Sequence, residues 1–257
     1  MKNKLVKFKL RFPIIGKYVV LFVTATPIFI LFLFIFFIKY AGITYGYRCS
    51  SDFVCLMCQS LFNRFLIVPA IILFVTFVTK DYVNINEVIH YKNRKELAIN
   101  HIVHSVIWLF VCVVYIIICG ALIGVLITSS SINWNNYNSE FYFSRGYITD
   151  ISFIESLLIL GSKLFVTSLF FMLIMMCINV FLKKQWGLIF AFILSAFNII
   201  RYINYYIVML FGFNYHEDVF WNYSEQLLYC VFLPIFIVAM CVIYIIFMKR
   251  KDYLSIN

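Results

Sequence analysis

Few side chains in this sequence can do chemistry, and they fall into three small groups. His101 and His104 stand one helical turn apart, so on a helix they share a face. Two imidazoles begin a metal site, but zinc takes four ligands, and only Glu96 and His90 lie close by in sequence. The plainer reading is a helix face at a membrane interface. Cys55 and Cys58 form one C-x-x-C with no second pair to complete a finger, and Cys49 precedes them. Cys112, Cys119, Cys177, Cys230 and Cys241 lie within apolar runs, where a thiol is a small hydrophobe. Free thiols and no bound metal are the expectation. The third group is polar and runs from Asn84 through Glu87, Val88, His90 and Lys92 to Arg94.

No motif adds catalysis to these groups. The chain has no GxxxxGK[ST], so it cannot hydrolyse ATP by a P-loop. HExxH, GxSxG and an Asp-rich pair are also missing. The expectation is a non-enzyme without a cofactor of its own.

The elements that must position these residues are membrane helices. The chain is 64% hydrophobic and 12% charged, too little polar surface for a soluble protein of 257 residues. Its apolar residues come in runs, and about 20 such residues cross the hydrocarbon core as a helix. The fold class is therefore all-α and polytopic, one transmembrane domain over 1–257. Six spans are expected, at about 18–38, 61–79, 105–127, 156–182, 186–209 and 227–247. The first run is longer than the core of a signal peptide and lacks a small-x-small cleavage site, so it is taken as a span. Pro27 falls inside it, which a membrane helix tolerates if a neighbour satisfies the freed carbonyl. Gly120-x-x-x-Gly124 in the third span permits close approach of another helix.

Charge sets the orientation. Fifteen of the 21 Lys and Arg fall before span 1, between spans 2 and 3, between spans 4 and 5, or after span 6. By the positive-inside rule, these segments and both termini are cytoplasmic. The net charge of +10 is thus topogenic, and no nucleic-acid partner is expected. The spans hold only Arg64, Lys163 and Arg201 as ionisable candidates, all toward one side, a poor set for an ion-coupled carrier. The outer loop 128–155 is rich in Asn, Ser and Tyr, and Trp134 there suits the headgroup zone.

The interval from Lys80 to His104 carries helix signals. Asn84-x-x-Glu87 is a capping box, with Val83 and Val88 in staple positions and Ile85, Val88 and Ile89 on one face. Asn93-x-x-Glu96 opens a second helix that runs into span 3. The product is either a rigid cytoplasmic knob or a helix lying on lipid headgroups.

This layout resembles the membrane subunit of an ABC-2 type transporter. The similarity lies in six spans with both ends inside, a basic interfacial N-terminal segment and a structured span 2–3 connection with an acid soon after span 2 (Asp81 or Glu87). It extends to the short turn Lys183-Lys184-Gln185, a re-entrant outer segment before span 6 and the tail Lys249-Arg250-Lys251-Asp252. The outer loop 128–155 is longer than that family usually has. The resemblance implies that Asn84, Glu87, Val88, His90, Lys92 and Arg94 form the helix that couples to ABC ATPase subunits, which bind the ATP. It implies a permease for export of, or immunity to, a hydrophobic or amphipathic cargo such as a peptide. The permease would work in the cell membrane of a bacterium, as a homodimer or with a sister chain, embedded in the lipid bilayer. The alternative is a non-transporting assembly or sensory subunit.

Overall fold

The computed structural model describes residues 12–40, 47–58, 66–79, 93–146, 148–181 and 233–250. These residues form helices and connecting turns, with no strand among them; Tyr47 and Ser139 make one isolated bridge. The helices are α1 (Phe12–Tyr40), α2 (Ser50–Met57), α3 (Val68–Thr79), α4 (Arg94–Thr128), α5 (Glu140–Arg145), α6 (Phe153–Phe181) and α7 (Leu233–Arg250). Three of them, over Gly16–Ile35, Arg94–Thr128 and Phe153–Val180, are long and apolar enough to cross a membrane. Shorter apolar helices cover Val68–Thr79 and Ile235–Lys249. The expected span at 186–209, and residues 61–65 and 227–232 of two others, lie outside the described residues.

The organising helix is α4, which packs against α1, α2, α3, α6 and α7. Its 35 residues make a rod of about 52 Å, well beyond the roughly 30 Å hydrocarbon core. The expected span began at residue 105, whereas the helix starts at Arg94. Asn93 explains the start: its side chain accepts a hydrogen bond from the Lys95 N–H at 3.0 Å. Its inward residues, Leu97, His101, Ser105, Leu109, Cys112, Ile116, Gly120 and Gly124, recur at helical spacing along one face. The opposite face exposes Ile107, Phe110, Ile118, Leu122 and Leu126. Such a helix, apolar all round, belongs in a bundle surrounded by lipid.

α1 leans on α4 and α3. Phe22 stacks on Phe74 with centroids 4.3 Å apart, and Tyr18 stacks on Phe77 at 5.2 Å. Pro27 has no N–H, so the Val23 carbonyl one turn back loses its helical donor. The Tyr115 hydroxyl of α4 donates to that carbonyl at 2.7 Å. The neighbour that a membrane proline requires is thus identified.

The Gly120/Gly124 groove receives α2, a short helix before α3. A Cβ on Gly124 would lie 2.6 Å from Ser50 Oγ and 3.1 Å from Ser50 Cα; one on Gly120 would lie 2.5 Å from Met57 Cε. All eight residues of α2 are buried, three of them polar. Burial demands that each polar group find a partner. Ser50 Oγ donates to Ala121 O at 2.7 Å, and Ser51 Oγ and Ser156 Oγ are 2.9 Å apart, which ties α2 to α4 and α6. The first helical N–H groups, of Ser50 and Ser51, donate to the carbonyls of Ser130 and Ser131. Asp52 accepts from Cys49 N–H at 2.8 Å and from Trp134 Nε1–H at 2.7 Å.

The loop after α4 is ordered by the same contacts. Ser129 takes a left-handed conformation and closes α4 onto Val125 O. Trp134 is buried and stacked on Phe141 at 4.6 Å. α5 is capped by Ser139 and ends at Gly146, whose φ of +78° suits a residue without Cβ. Ser152 and Glu155 then form a reciprocal cap at the start of α6: Ser152 N–H donates to Glu155 Oε2 at 2.9 Å.

Candidate functional site

Of the six residues expected to couple to a partner, Asn84, Glu87, Val88, His90 and Lys92 lie outside the described residues. Arg94 is described. It is exposed at the first position of α4, and its Nη1 donates to Lys249 O near the end of α7 at 3.3 Å. A cation beside the last carbonyls of a helix is a favourable placement. Glu96 is exposed in the same turn. The polar interval 80–92 is therefore bounded by two helix ends, Thr79 of α3 and Asn93 before α4.

The last turn of α3 lines a cavity that α4 reaches two to three turns in from its start. About 30 Å³ lies open between α3, α4, α6 and α7. α3 contributes Val75, Thr76 and Thr79; α4 contributes His101 and Ser105. α6 brings Met172, Met175, Met176, Asn179 and Val180, and α7 brings Tyr244 and Met248. A water needs about 10–15 Å³ on this measure, so the space holds one or two small occupants, not an organic substrate.

The polar groups at its wall are held by specific bonds. His101 is buried, and its Nδ1 shares a hydrogen bond of 2.6 Å with the Tyr244 hydroxyl; the tautomer decides which of the two donates. This bond joins α4 to α7. Thr79 Oγ1 donates to Val75 O at 2.8 Å and Thr76 Oγ1 to Ile72 O at 2.7 Å, so both hydroxyls are turned back onto their own helix. Thr76 Oγ1 also stands 3.4 Å from Met175 Sδ, which places that sulfur across the α3–α6 contact. Ser105 is 1% exposed, and among the described residues its Oγ has no hydrogen-bond partner.

The two histidines do not form one site. His101 faces α7, while His104 is half-buried with Nδ1 2.8 Å from Asn100 O of its own helix. They are a turn apart but engaged in different directions. Cys55 and Cys58 are both buried thiols on and just after α2. Lys163, one of the ionisable residues expected in the spans, is buried on α6, and its charge acts on Cys58. Among the described residues no group of three His, Cys, Asp or Glu is placed to hold a metal ion.

A second polar cluster lies at the other end of the bundle. Asp52 is 3% exposed and Cys49 fully buried. Burial raises the Asp52 carboxyl above its ordinary range; hydrogen bonds from Cys49 and Trp134 and the Arg48 charge pull the other way. Glu140 is raised for the same first reason, desolvation, against the pull of Arg48. The hydrogen bonds of Asp52 close the loop over α2, while Arg48 Nε, Asn133 Oδ1 and Glu140 Oε2 have no hydrogen-bond partner among the described residues.

Sequence reasoning did not find the residues that organise either end. For Asp52 a signal existed, since Cys49-x-x-Asp52 has the spacing of a capping box. For the cavity the signal was Met172-x-x-Met175-Met176, three thioethers on one helical face. No family model, curated protein or solved structure matches this chain.

Proposed function

We propose that this chain is the multi-pass permease subunit of an ATP-binding-cassette exporter, driven by ATPase subunits on separate chains. Its cargo is hydrophobic or amphipathic, a peptide by preference, expelled through the cell membrane or cleared as immunity. The supporting observation is mechanical. The interval 80–92 connects α3 to α4, and the last turn of α3 shares one cavity with His101 and Ser105 of α4 and with α6 and α7. A load on that interval is delivered to four helices at once. A hollow beside them leaves room for the small repacking that a two-state element requires. The absence of a P-loop from the sequence means the energy comes from another chain.

On this reading Asn84, Glu87, Val88, His90, Lys92 and Arg94 seat in the ATPase. Six spans place both termini in the cytoplasm, and the permease pairs with a second copy or a sister chain. A non-transporting assembly or sensory subunit is the second reading. The densely bonded cover over α2, in which all of its residues are buried, favours it, because an exit path needs an outer end that opens.

The test is co-purification of the chain from its native membrane with an ATPase, followed by Glu87→Lys and Arg94→Glu. Each reversal is expected to reduce recovery of the ATPase at least tenfold while the permease still inserts. Recovery of no ATPase, or full recovery with both reversals, overturns the exporter and leaves the second reading.

A further inference from the structure

The cavity between α3, α4, α6 and α7 has a chemical character that transport does not require. The chain has eight methionines, and four of them, Met172, Met175, Met176 and Met248, line this one cavity. Met172, Met175 and Met176 sit at i, i+3 and i+4 of α6, all buried, so their side chains leave the helix on one face. Methionine commonly serves to fill irregular gaps in a core. Here the gap persists beside three of them. Ser105 Oγ, buried in the same wall, has no hydrogen-bond partner among the described residues, and a bound water or ion is one way such a group is satisfied.

The ligand chemistry narrows that occupant. Calcium and magnesium need carboxylates, and zinc takes thiolate, imidazole or carboxylate in sets of four; no such group of acids, His and Cys occurs among the described residues. Thioethers are neutral, soft donors that select copper(I) over harder cations. A monocation held by neutral sulfurs also brings less charge into a membrane protein than a divalent ion with carboxylates. We propose that this cavity binds one copper(I) ion through the thioethers of Met172, Met175 and Met176. His101 stands at the same wall. Its Nδ1 bond to Tyr244 fixes the ring in the way a second bond orients the imidazoles of metal sites. The site does not depend on the exporter reading, and its test uses no ATPase.

The chain's eight cysteines also bind copper, so the experiment must see the methionine ligands themselves. Full-length protein labelled with selenomethionine is purified in detergent under argon and given one equivalent of copper(I) as its acetonitrile complex. The selenium-edge X-ray absorption is then recorded. A selenium–copper scattering shell is expected in the parent chain. It should vanish in Met172→Leu/Met175→Leu/Met176→Leu, a volume-conserving change that leaves the melting temperature of the copper-free protein within a few degrees of the parent. No such shell in the parent chain, with copper retained on thiols only or not at all, overturns the site. Persistence of the shell in the triple variant overturns the assignment to these three residues. If the triple variant fails to fold, Met175→Leu alone serves: a smaller selenium–copper shell than in the parent chain is expected, and an undiminished shell overturns the proposal.

Discussion

At the scale of single residues, the hydrogen bond from Tyr115 to Val23 O is the sharpest case. Pro27 removes one donor from α1, and a hydroxyl on another helix replaces it. Leaving a carbonyl without a partner costs about 1–3 kcal/mol. Tyr115→Phe should therefore destabilise the bundle by that order, measured as a fall in melting temperature in detergent. In a Pro27→Ala background the backbone N–H returns, and the same change should cost little. Equal losses in both backgrounds would show that the hydroxyl does something other than replace that donor. Asp52 offers a second test. A carboxyl raised by burial stabilises the folded state fully below the ordinary range, near 3.9, and that contribution is lost as pH rises through its elevated value. The parent chain should lose melting temperature as pH rises above about 4, and Asp52→Asn should flatten that slope. Matching pH profiles for parent and variant would place the titration elsewhere. Pro27 and its need were legible in the sequence, because proline chemistry is local. Its partner was not, since nothing in the order of residues ties 115 to 23.

At the scale of elements, the long apolar helices were legible and the short one was not. α4 and α6 lie where runs of apolar residues put them, and Asn93 opens α4 as its spacing suggested. Residues 94–104 extend that helix beyond the apolar run, which begins at 105. Ser50–Met57 reads as loop because it begins with two serines and an acid. It is a helix because carbonyls of Ser130 and Ser131, far along the chain, accept from its first two N–H groups. Gly120 and Gly124 signal close approach but not by which helix. Their inequality is testable. A methyl at 120 meets the movable end of Met57, whereas one at 124 meets Ser50, backbone included. Overpacking costs about 1–3 kcal/mol, against roughly 1 kcal/mol gained from replacing a helical glycine by alanine. Gly124→Ala should loosen α2 and speed maleimide labelling of Cys55 and Cys58, followed by mass spectrometry. Gly120→Ala should come out near neutral. Labelling accelerated equally in both variants would contradict this seating of α2. The cavity was illegible for another reason: a thioether in an apolar run looks like packing until the space beside it is seen.

At the scale of the whole molecule, the two ends differ in character. One is basic and built from helix ends around a hollow; the other is closed by buried polar bonds. On the proposed topology the first faces the cytoplasm and the second the outside. Tyr137, exposed in the loop before α5, and Lys249, exposed near the end of α7, report the two sides. A Tyr137→Cys chain in intact cells should react with an impermeant maleimide. Lys249→Cys should react only after permeabilisation. The reverse pattern would invert the molecule, and with it the side on which an ATPase could dock. The expected orientation follows from counting Lys and Arg, and that labelling tests it. The identity of a partner is not legible, because a docking surface is defined by the shape of two chains.

The seating of α2 also dictates an order of manufacture. Met57 leaves the ribosome before any part of the groove it will occupy. At about 5–20 residues per second, roughly 4–15 s separate it from Trp134. Until Ala121, Ser130, Ser131 and Trp134 follow, Ser50, Ser51 and Asp52 lack these partners. The segment must wait at the water side of the insertion machinery and slide home only once the helices beneath it stand side by side. A nascent chain halted before Trp134 should then hold its third helix in the bilayer while Cys55 and Cys58 stay open to reagent.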